Sequence, residues 1–112
     1  MNKLILISVL ALSSTVALAA SSVERGKSLY MKVGCYQCHG TVGQGGTAGL
    51  KLAPSPLPFE QFAQFVHNTA DAMPPYREQV LSDADLKDIH AYLASIPQPK
   101  PLKQYPLLKD LP

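Results

Sequence analysis

The chain has 112 residues, two cysteines and a formal net charge of +2 at pH 7. This length allows one small domain, and so slight a charge excludes the basic balance with which nucleic-acid-binding proteins bind phosphates. Two cysteines permit at most one intramolecular disulfide, so a disulfide scaffold does not explain how so small a domain is stabilised. We expect a metal or a cofactor to do so.

Residues 1–20 have the composition of a secretory signal peptide. Lys3 precedes an apolar run from Leu4 to Leu12, and small residues follow, with cleavage expected after Ala19 or Ala20. An uncleaved membrane anchor is the alternative, but the apolar run is shorter than the roughly 20 residues that a spanning helix needs. We therefore expect export to the periplasm, an oxidising compartment, and no stable membrane insertion of the mature chain.

The two segments that follow differ in composition. SVERGKSLYMK, from Ser22 to Lys32, has apolar residues at helical spacing and predicts a first helix that is capped by Ser22 and ends at Gly34. From Gly40 to Pro58 the chain contains five glycines and three prolines, which is typical of a loop. A long loop in so small a domain indicates that it wraps around something.

Two further helices are predicted. PFEQFAQFVHNT, from Pro58 to Thr69, begins with a helix-starting proline. LSDADLKDIHAYLASI, from Leu81 to Ile96, has Ser82 as its N-cap and Asp85 as the capping-box partner, and Pro97 ends it. No segment alternates with the period of a strand, so we predict an all-α fold. The expected apolar faces are Phe59, Phe62, Phe65 and Val66 on the earlier helix, and Leu86, Ile89, Tyr92, Leu93 and Ile96 on the later one.

The C-terminal segment, residues 98–112, is rich in proline and is expected to be extended and polyproline-like rather than helical. Its leucines and Tyr105 make it more apolar than a plain linker needs to be. We therefore expect this tail to pack either on the chain itself or on a partner.

The motif CYQCHG, from Cys35 to Gly40, is compatible with three kinds of site. A thioredoxin-like redox pair is normally found in a strand-helix-strand unit, and no strand is predicted here. A zinc site would need His67 or His90 as its fourth ligand. A c-type haem would use both thiols for thioether bonds and His39 as an iron ligand, because one helical turn places both sulfurs along one porphyrin edge. The missing strands and the adjacent placement of two of the zinc ligands favour the haem.

A six-coordinate haem needs a second axial ligand, commonly methionine or histidine. The candidates are Met31, Met73, His67 and His90. Met31 lies too close to Cys35 in the sequence to reach the opposite face, and we expect it to fill a gap in the core. His90 lies in the middle of a helix, while His67 is an alternative that would give bis-histidine ligation. In MPPY, Met73 is followed by two prolines that stiffen its loop, and this favours Met73 as the ligand.

From about Val23 to Pro97 the sequence resembles the small, single-domain class I cytochromes c of bacterial periplasms. The motifs that carry the resemblance are CYQCHG, the glycine-rich GQGG, GLKLAP, MPPY, the terminal helix LSDADLKDIHAYLASIP, and the first-helix residues Gly26 and Tyr30. The resemblance implies a domain at residues 21–97, with three to four short helices around one covalently bound haem c. It also implies that the first and last helices cross, so that Gly26 and Tyr30 meet Tyr92 and Leu93.

This chain departs from that family pattern at Leu50. Such proteins commonly have Gly-Pro where this sequence has Gly49 and Leu50, and the carbonyl of that proline accepts a hydrogen bond from the proximal histidine. The resemblance implies that the Leu50 carbonyl takes this role for His39, because a carbonyl needs no proline ring. The alternative for Leu50 is that its side chain packs on the haem edge.

The resemblance further implies a periplasmic single-electron carrier, not an enzyme, that exchanges electrons between a donor and an acceptor redox protein. His39 and Met73 are the expected iron ligands, and Arg77, Lys51 and Tyr76 are candidate partners of the haem propionates. The haem pocket is expected to exclude water and to be lined by Leu52, Phe59, Phe62 and Tyr76.

Two alternatives differ in function. In one, the chain is a dedicated cytochrome subunit of a periplasmic dehydrogenase, as the similarity of GLKLAP and MPPY to dehydrogenase-associated cytochromes implies, and the tail docks it. In the other, Met73 is not on iron, and an open axial position makes the protein a haem enzyme or a gas sensor.

Overall fold

The computed structural model describes residues 22–54 and 56–107 of the chain. Within those ranges the fold is helical and contains no strand, so the all-α prediction is confirmed. None of the helices in them is both long and apolar enough to cross a bilayer. The predicted signal peptide lies outside the described residues. The helices, in chain order, are α1 (22–32), α2 (Tyr36–His39), α3 (Phe59–Asn68), α4 (Asp83–Ser95) and a short 3-10 helix (Leu102–Gln104).

Helix α1 ends where the sequence predicted. Gly34 has φ +88°, a left-handed conformation that favours glycine, and its amide donates to the carbonyl of Met31. Ser22, by contrast, already lies within the helix, so it is not the N-cap. The turn at Gly34 directs the chain from α1 into the cysteine motif.

Helix α4 begins with the predicted capping box. The Ser82 hydroxyl oxygen accepts a hydrogen bond from the Asp85 amide at 3.2 Å, and the Asp85 carboxylate accepts one from the Ser82 amide at 3.2 Å. The helix is followed by Ile96 and Pro97, also as predicted. Its buried residues are Leu86, Ile89, Tyr92 and Leu93, and Ile96 packs partly buried against them.

Helices α1 and α4 cross in close contact. A Cβ atom at Gly26 would lie 1.8 Å from the carbonyl oxygen of Asp88 and 2.9 Å from the amide of Ile89, so only glycine allows this approach. The rings of Tyr30 and Tyr92 pack with their centroids 5.6 Å apart, as the resemblance implied. Gly26 meets α4 about one turn before Tyr92 rather than beside it.

An ion-pair cluster links the same two helices at the surface. The Arg25 guanidinium donates to the carboxylates of Asp88 and Asp85, and these hydrogen bonds raise the pKa of Arg25. Hydrogen bonds from Ser82 and then from Arg25 lower the pKa of Asp85. Asp85 therefore both caps α4 and connects it to α1.

Helix α3 packs on α4 with a narrower apolar face than predicted. Phe62, Ala63 and Val66 are buried, but Phe65 is 51% exposed, so its assignment to the buried apolar face is wrong. Neighbouring residues of a helix lie about 100° apart around its axis, so Phe65 lies outside the buried side that includes Val66. Phe65 is left as an uncovered aromatic residue on the flank of α3.

The C-terminal tail is exposed to solvent within residues 98–107. All of these residues are exposed, Leu107 to 94%, so no residue in this part of the tail is buried against the chain itself. The expectation of a wholly extended tail is wrong at one short 3-10 turn, Leu102–Gln104. Packing on a partner stays a prediction.

Candidate functional site

Both cysteines of CYQCHG lie on a single helical turn. Cys35 directly precedes α2 and its carbonyl accepts a hydrogen bond from the His39 amide at 3.0 Å. Both thiols are free, Cys35 partly buried and Cys38 exposed. The turn therefore brings two thiols and an imidazole together in one compact segment.

The structure gives no support to a redox pair or a zinc site. Burial raises the pKa of the Cys35 thiol to about 11, whereas reactive thiolates have a lowered pKa. Across residues 22–54 and 56–107, no group of three or more histidine, cysteine, aspartate or glutamate side chains is placed to bind a metal ion. The fourth zinc ligand that the sequence offered, His67 or His90, is bonded elsewhere in each case.

The ring of His39 is oriented by a backbone carbonyl. Its Nδ1 lies 2.7 Å from the carbonyl oxygen of Leu50, which is the contact that the resemblance implied. With Nδ1–H donating to this carbonyl, Nε2 carries the lone pair that an iron ligand needs. The Leu50 side chain is 79% exposed, so this residue acts on His39 through its backbone.

Gly49 allows the Leu50 carbonyl to approach His39. A Cβ atom at Gly49 would lie 2.7 Å from the Cys38 carbonyl oxygen and 2.9 Å from His39 Nδ1. Two backbone hydrogen bonds close the turn around this point, from Gly45 N to His39 O at 2.8 Å and from Gly46 N to Gly49 O at 3.0 Å. The glycine-rich loop, residues 40–49, therefore packs closely against His39.

Two core tyrosines attach this glycine-rich loop to the helix crossing. The Tyr30 hydroxyl donates to the Gly40 carbonyl at 2.7 Å, and the Tyr92 hydroxyl donates to the Thr41 carbonyl at 2.9 Å. The family resemblance placed both rings at the crossing but did not imply these hydrogen bonds. The available signal was that a buried tyrosine hydroxyl needs a partner, and a loop rich in glycine offers free carbonyls.

Met73 lies in the loop between α3 and α4 and packs, partly buried, against the hydrophobic core. Met31 is 38% exposed on α1, so the prediction that it fills a gap in the core is wrong. Of the two described methionines, only Met73 is directed towards the interior.

Tyr76 joins the MPPY loop to the cysteine motif. Its hydroxyl donates to the carbonyl of Val33 at 2.8 Å, just before Cys35, and its amide donates to the Val66 carbonyl at 2.9 Å. Burial raises the pKa of the Tyr76 phenol, and the nearby thiols of Cys35 and Cys38 raise it further. The segment that carries Met73 and the segment that carries the thiols are therefore adjacent in the fold.

His67 uses both ring nitrogens for contacts within the protein. Nδ1 is hydrogen-bonded to the carbonyl of Tyr76, and Nε2 lies 3.0 Å from Oδ1 of Asp83. Neither nitrogen is available to iron in this arrangement, which disfavours the bis-histidine alternative. His90 is bonded through Nε2 to the Leu57 carbonyl at 2.7 Å.

The predicted aromatic pocket residues lie in the interface between α3 and α4. The ring centroids of Phe59 and Phe62 are 5.8 and 5.5 Å from that of His90, and the Lys87 amine lies 5.4 Å from the Phe59 ring centroid. Leu52 packs partly buried against the core. These contacts show that Phe59 and Phe62 join α3 to α4, and a role for them around a haem stays a prediction.

The side chains at the thiol turn suit a covalently bound, mostly apolar group. Leu50, whose carbonyl bonds His39, leaves its apolar side chain 79% exposed beside that ring, and Met73 packs partly buried against the core. The donor set of two thiols, an imidazole nitrogen and a thioether matches what covalent haem attachment and axial ligation use. The residues present therefore fit a haem c.

A cavity of about 460 Å³ lies along α3 and the start of the Met73 loop. It is separate from the thiol turn, because neither cysteine nor His39 lines it, and Met73 does not line it either. Its lining residues are Leu57, Gln61, Gln64, Phe65, Asn68, Thr69, Ala70 and Asp71.

Comparison with known families gave one match. The model of the family described as "Cytochrome C oxidase, cbb3-type, subunit III" matches residues 21–93, more than half of the chain. Searches of curated proteins and of solved structures gave no significant match. The matched range contains CYQCHG, MPPY and nearly all of α4, so it covers every residue of the candidate site.

Proposed function

This chain belongs to the cytochrome c family named for subunit III of the cbb3-type oxidase, a family of haem-binding electron carriers, and we propose that it is a periplasmic single-electron carrier. In this proposal one haem c is held by thioether bonds to Cys35 and Cys38. His39 and Met73 supply the two axial ligands. When bound, the haem supplies one-electron redox chemistry at its iron.

The geometry around His39 supports its role as a ligand. The Leu50 carbonyl fixes the tautomer and the orientation of the ring, and it strengthens Nε2 as a donor, because a hydrogen bond from Nδ1 makes the other nitrogen more basic. The proline that commonly occupies this position in similar proteins is therefore not required.

The observation that carries the Met73 assignment is the hydrogen bond from the Tyr76 hydroxyl to Val33. It connects MPPY to the residues just before the thiols and so supports a site that both segments share. With both axial positions filled by His39 and Met73, no coordination position is open to a substrate, which favours electron transfer over catalysis. An axial methionine also raises the reduction potential relative to bis-histidine ligation.

The partners in this proposal are a donor and an acceptor redox protein. The chain carries a formal charge of only +2, so strong electrostatic steering is not expected. Docking would instead rely on a small apolar patch and be transient. Leu50 and Phe65, which are uncovered in the described fold, are candidates for haem contact or for this patch.

Substitution of each methionine in turn tests the axial assignment. Met73→Ala in the ferric protein is expected to abolish the long-wavelength sulfur-to-iron charge-transfer band and lower the reduction potential, while the matched control Met31→Ala leaves both unchanged. A wild-type ferric protein that is high-spin, or a reduced one that binds carbon monoxide quickly, would contradict this function and favour the haem enzyme or gas sensor.

A second candidate function is a dedicated cytochrome subunit of a larger oxidoreductase, such as a periplasmic dehydrogenase. The exposure of Leu102 and Leu107 favours it, because these two apolar side chains are available to a partner. Truncation after Pro97 is then expected to abolish copurification with the partner and leave the haem spectrum unchanged. An unchanged copurification would exclude docking by the tail.

A further inference from the structure

The Met73 loop is closed by contacts that both involve Tyr76. The Tyr76 amide donates to the Val66 carbonyl at 2.9 Å, and the Tyr76 carbonyl accepts from Nδ1 of His67. Met73 lies between these attachment points in the sequence. The last turn of α3 and Tyr76 thus fix the two ends of the segment that carries the thioether.

His67 also connects this closed loop to the start of α4. Its Nε2 lies 3.0 Å from Oδ1 of Asp83, the first residue of that helix. The His67 side chain is only 16% exposed and that of Asp83 is 57% exposed, so the pair lies at the edge of the fold with the histidine on the inner side. One imidazole therefore bridges α3, the far end of the Met73 loop and α4.

We propose that His67 is a positioning residue, which fixes the loop so that the thioether of Met73 stays on the haem iron. This inference rests on the proposed function, because it takes Met73 as the axial ligand. His67 itself does not touch iron in this account, since both of its nitrogens are already bonded. The histidine that the sequence offered as a competing ligand instead supports the methionine.

Both contacts of His67 are made to acceptors, a carbonyl and a carboxylate, so both are complete only when the imidazole carries two protons. The hydrogen bond to Tyr76 is the main cause that raises the pKa of His67, and Asp83 and Glu78 raise it further. Both hydrogen bonds of His67 are therefore present below the ordinary histidine pKa of about 6.5. They are weakened as the pH rises through the raised pKa of His67 in the folded protein.

His90 provides a matched control. It is the other partly buried histidine of the α3–α4 region, and its Nε2 also bonds a backbone carbonyl, that of Leu57 at 2.7 Å. Leu57 precedes α3, so this bond does not close the Met73 loop. Removal of His90 tests the general cost of losing a histidine that is packed against Phe59 and Phe62.

The experiment compares His67→Ala, His67→Arg and His90→Ala in the intact haem-loaded protein, with two readouts. The first is amide hydrogen exchange at Tyr76 in the ferrous protein, and the second is the ferric charge-transfer band followed against pH. Loss of one charge-assisted hydrogen bond corresponds to about tenfold in an opening equilibrium, so His67→Ala is expected to speed Tyr76 exchange about tenfold. The same variant should have a weaker band at every pH, without the decline that the wild type shows as the pH rises.

The arginine variant separates the effect of the hydrogen bonds at position 67 from the effect of the side chain's size. Arg at position 67 retains two donors that do not titrate near neutrality, so His67→Arg is expected to keep the band and remove its pH dependence. His90→Ala should leave the band as in the wild type. It should speed Tyr76 exchange by no more than its effect on the global free energy of unfolding accounts for.

Two results overturn the inference, and they are distinguishable from failure of the proposed function. If His67→Ala and His90→Ala change Tyr76 exchange equally, or if His67→Ala changes neither readout, His67 has no special role. If the wild type lacks the band, Met73 is not the ligand, and the proposed function fails together with the claim that His67 keeps the thioether on iron. Tyr76 exchange then shows only whether His67 fixes the loop.

Discussion

The two sides of the candidate site are built in different ways. On one side His39 is oriented by Leu50, eleven residues later in the chain, and the intervening glycines make the turn. On the other side the Met73 loop is fixed by Tyr76 to Val33, forty-three residues away, and by His67 and Asp83. The orientation of the His39 ring comes from a local turn, although Tyr92 attaches that turn to α4, whereas the Met73 loop is positioned by contacts to residues on other elements.

The helix crossing supports both sides, so its disruption should have the largest effect. Gly26→Ala would place a methyl group 1.8 Å from the Asp88 carbonyl oxygen, and we expect it to lower the free energy of unfolding by about 3 kcal/mol or more. Ser28→Ala, at an exposed position of the same helix, should change it by less than about 0.5 kcal/mol. Denaturant unfolding of the haem-loaded protein measures both, and equal effects would show that the close approach is not required.

The His39 side can be disrupted alone at Gly49. A methyl group there would press on the Cys38 carbonyl and on His39 Nδ1, so Gly49→Ala should cost about 1 to 3 kcal/mol and disturb the iron–histidine bond. Gly46→Ala is the matched control, because its nearest neighbour would be 3.9 Å away. Resonance Raman spectroscopy of the iron–histidine bond, together with denaturant unfolding, measures the difference. A tolerated Gly49→Ala would contradict the account of Leu50.

The Met73 side can be compared directly with the His39 side through two tyrosines. Tyr76→Phe removes the hydrogen bond to Val33, and Tyr92→Phe removes the one to Thr41. Each is expected to cost about 1 kcal/mol in the free energy of unfolding. Only Tyr76→Phe should lower the temperature at which the ferric charge-transfer band is lost. Parallel loss of the band in both variants would mean that the two sides are not independent.

An effect on the free energy of unfolding as small as that of the tyrosine variants, with no effect on the haem band, is expected at the N-terminus of α4, next to the Asp83 contact of His67. Ser82→Ala removes the capping hydrogen bond and should cost about 1 kcal/mol. Ser95→Ala, whose hydroxyl bonds the Tyr92 carbonyl at the other end of α4, should change the free energy of unfolding by less than about 0.5 kcal/mol. Thermal unfolding of the two variants is the measurement, and a larger loss in Ser95→Ala would contradict this ranking.

Much of the fold follows from local sequence signals. Gly34 ends α1, Ser82 and Asp85 cap α4, and Pro97 follows the end of α4. Each of these residues affects only the backbone close to it in the sequence, so the local sequence was enough to predict its effect. The His39 contact with Leu50 did not come from a local signal, because only the family resemblance implied it.

The remaining features depended on which surfaces meet in three dimensions. Helical spacing placed Phe65 on an apolar face, but the elements that pack against α3 decide how much of that face is covered. The contacts of His67 join a helix, a loop and a helix start, and no local pattern in the sequence marks such a bridge. The exposure of the tail could not be predicted either, because composition alone does not say whether apolar residues pack on the chain or on a partner.

The central claim is that Met73 is the second axial ligand of a haem held by CYQCHG. The most direct measurement is proton NMR of the ferrous protein with its methionine methyl groups labelled, because a methyl group above a porphyrin experiences a strong ring-current shift. We expect one methyl resonance far upfield that disappears in Met73→Ala and persists in Met31→Ala. All methionine methyl resonances at ordinary positions, or an upfield resonance that persists in Met73→Ala, would contradict the account.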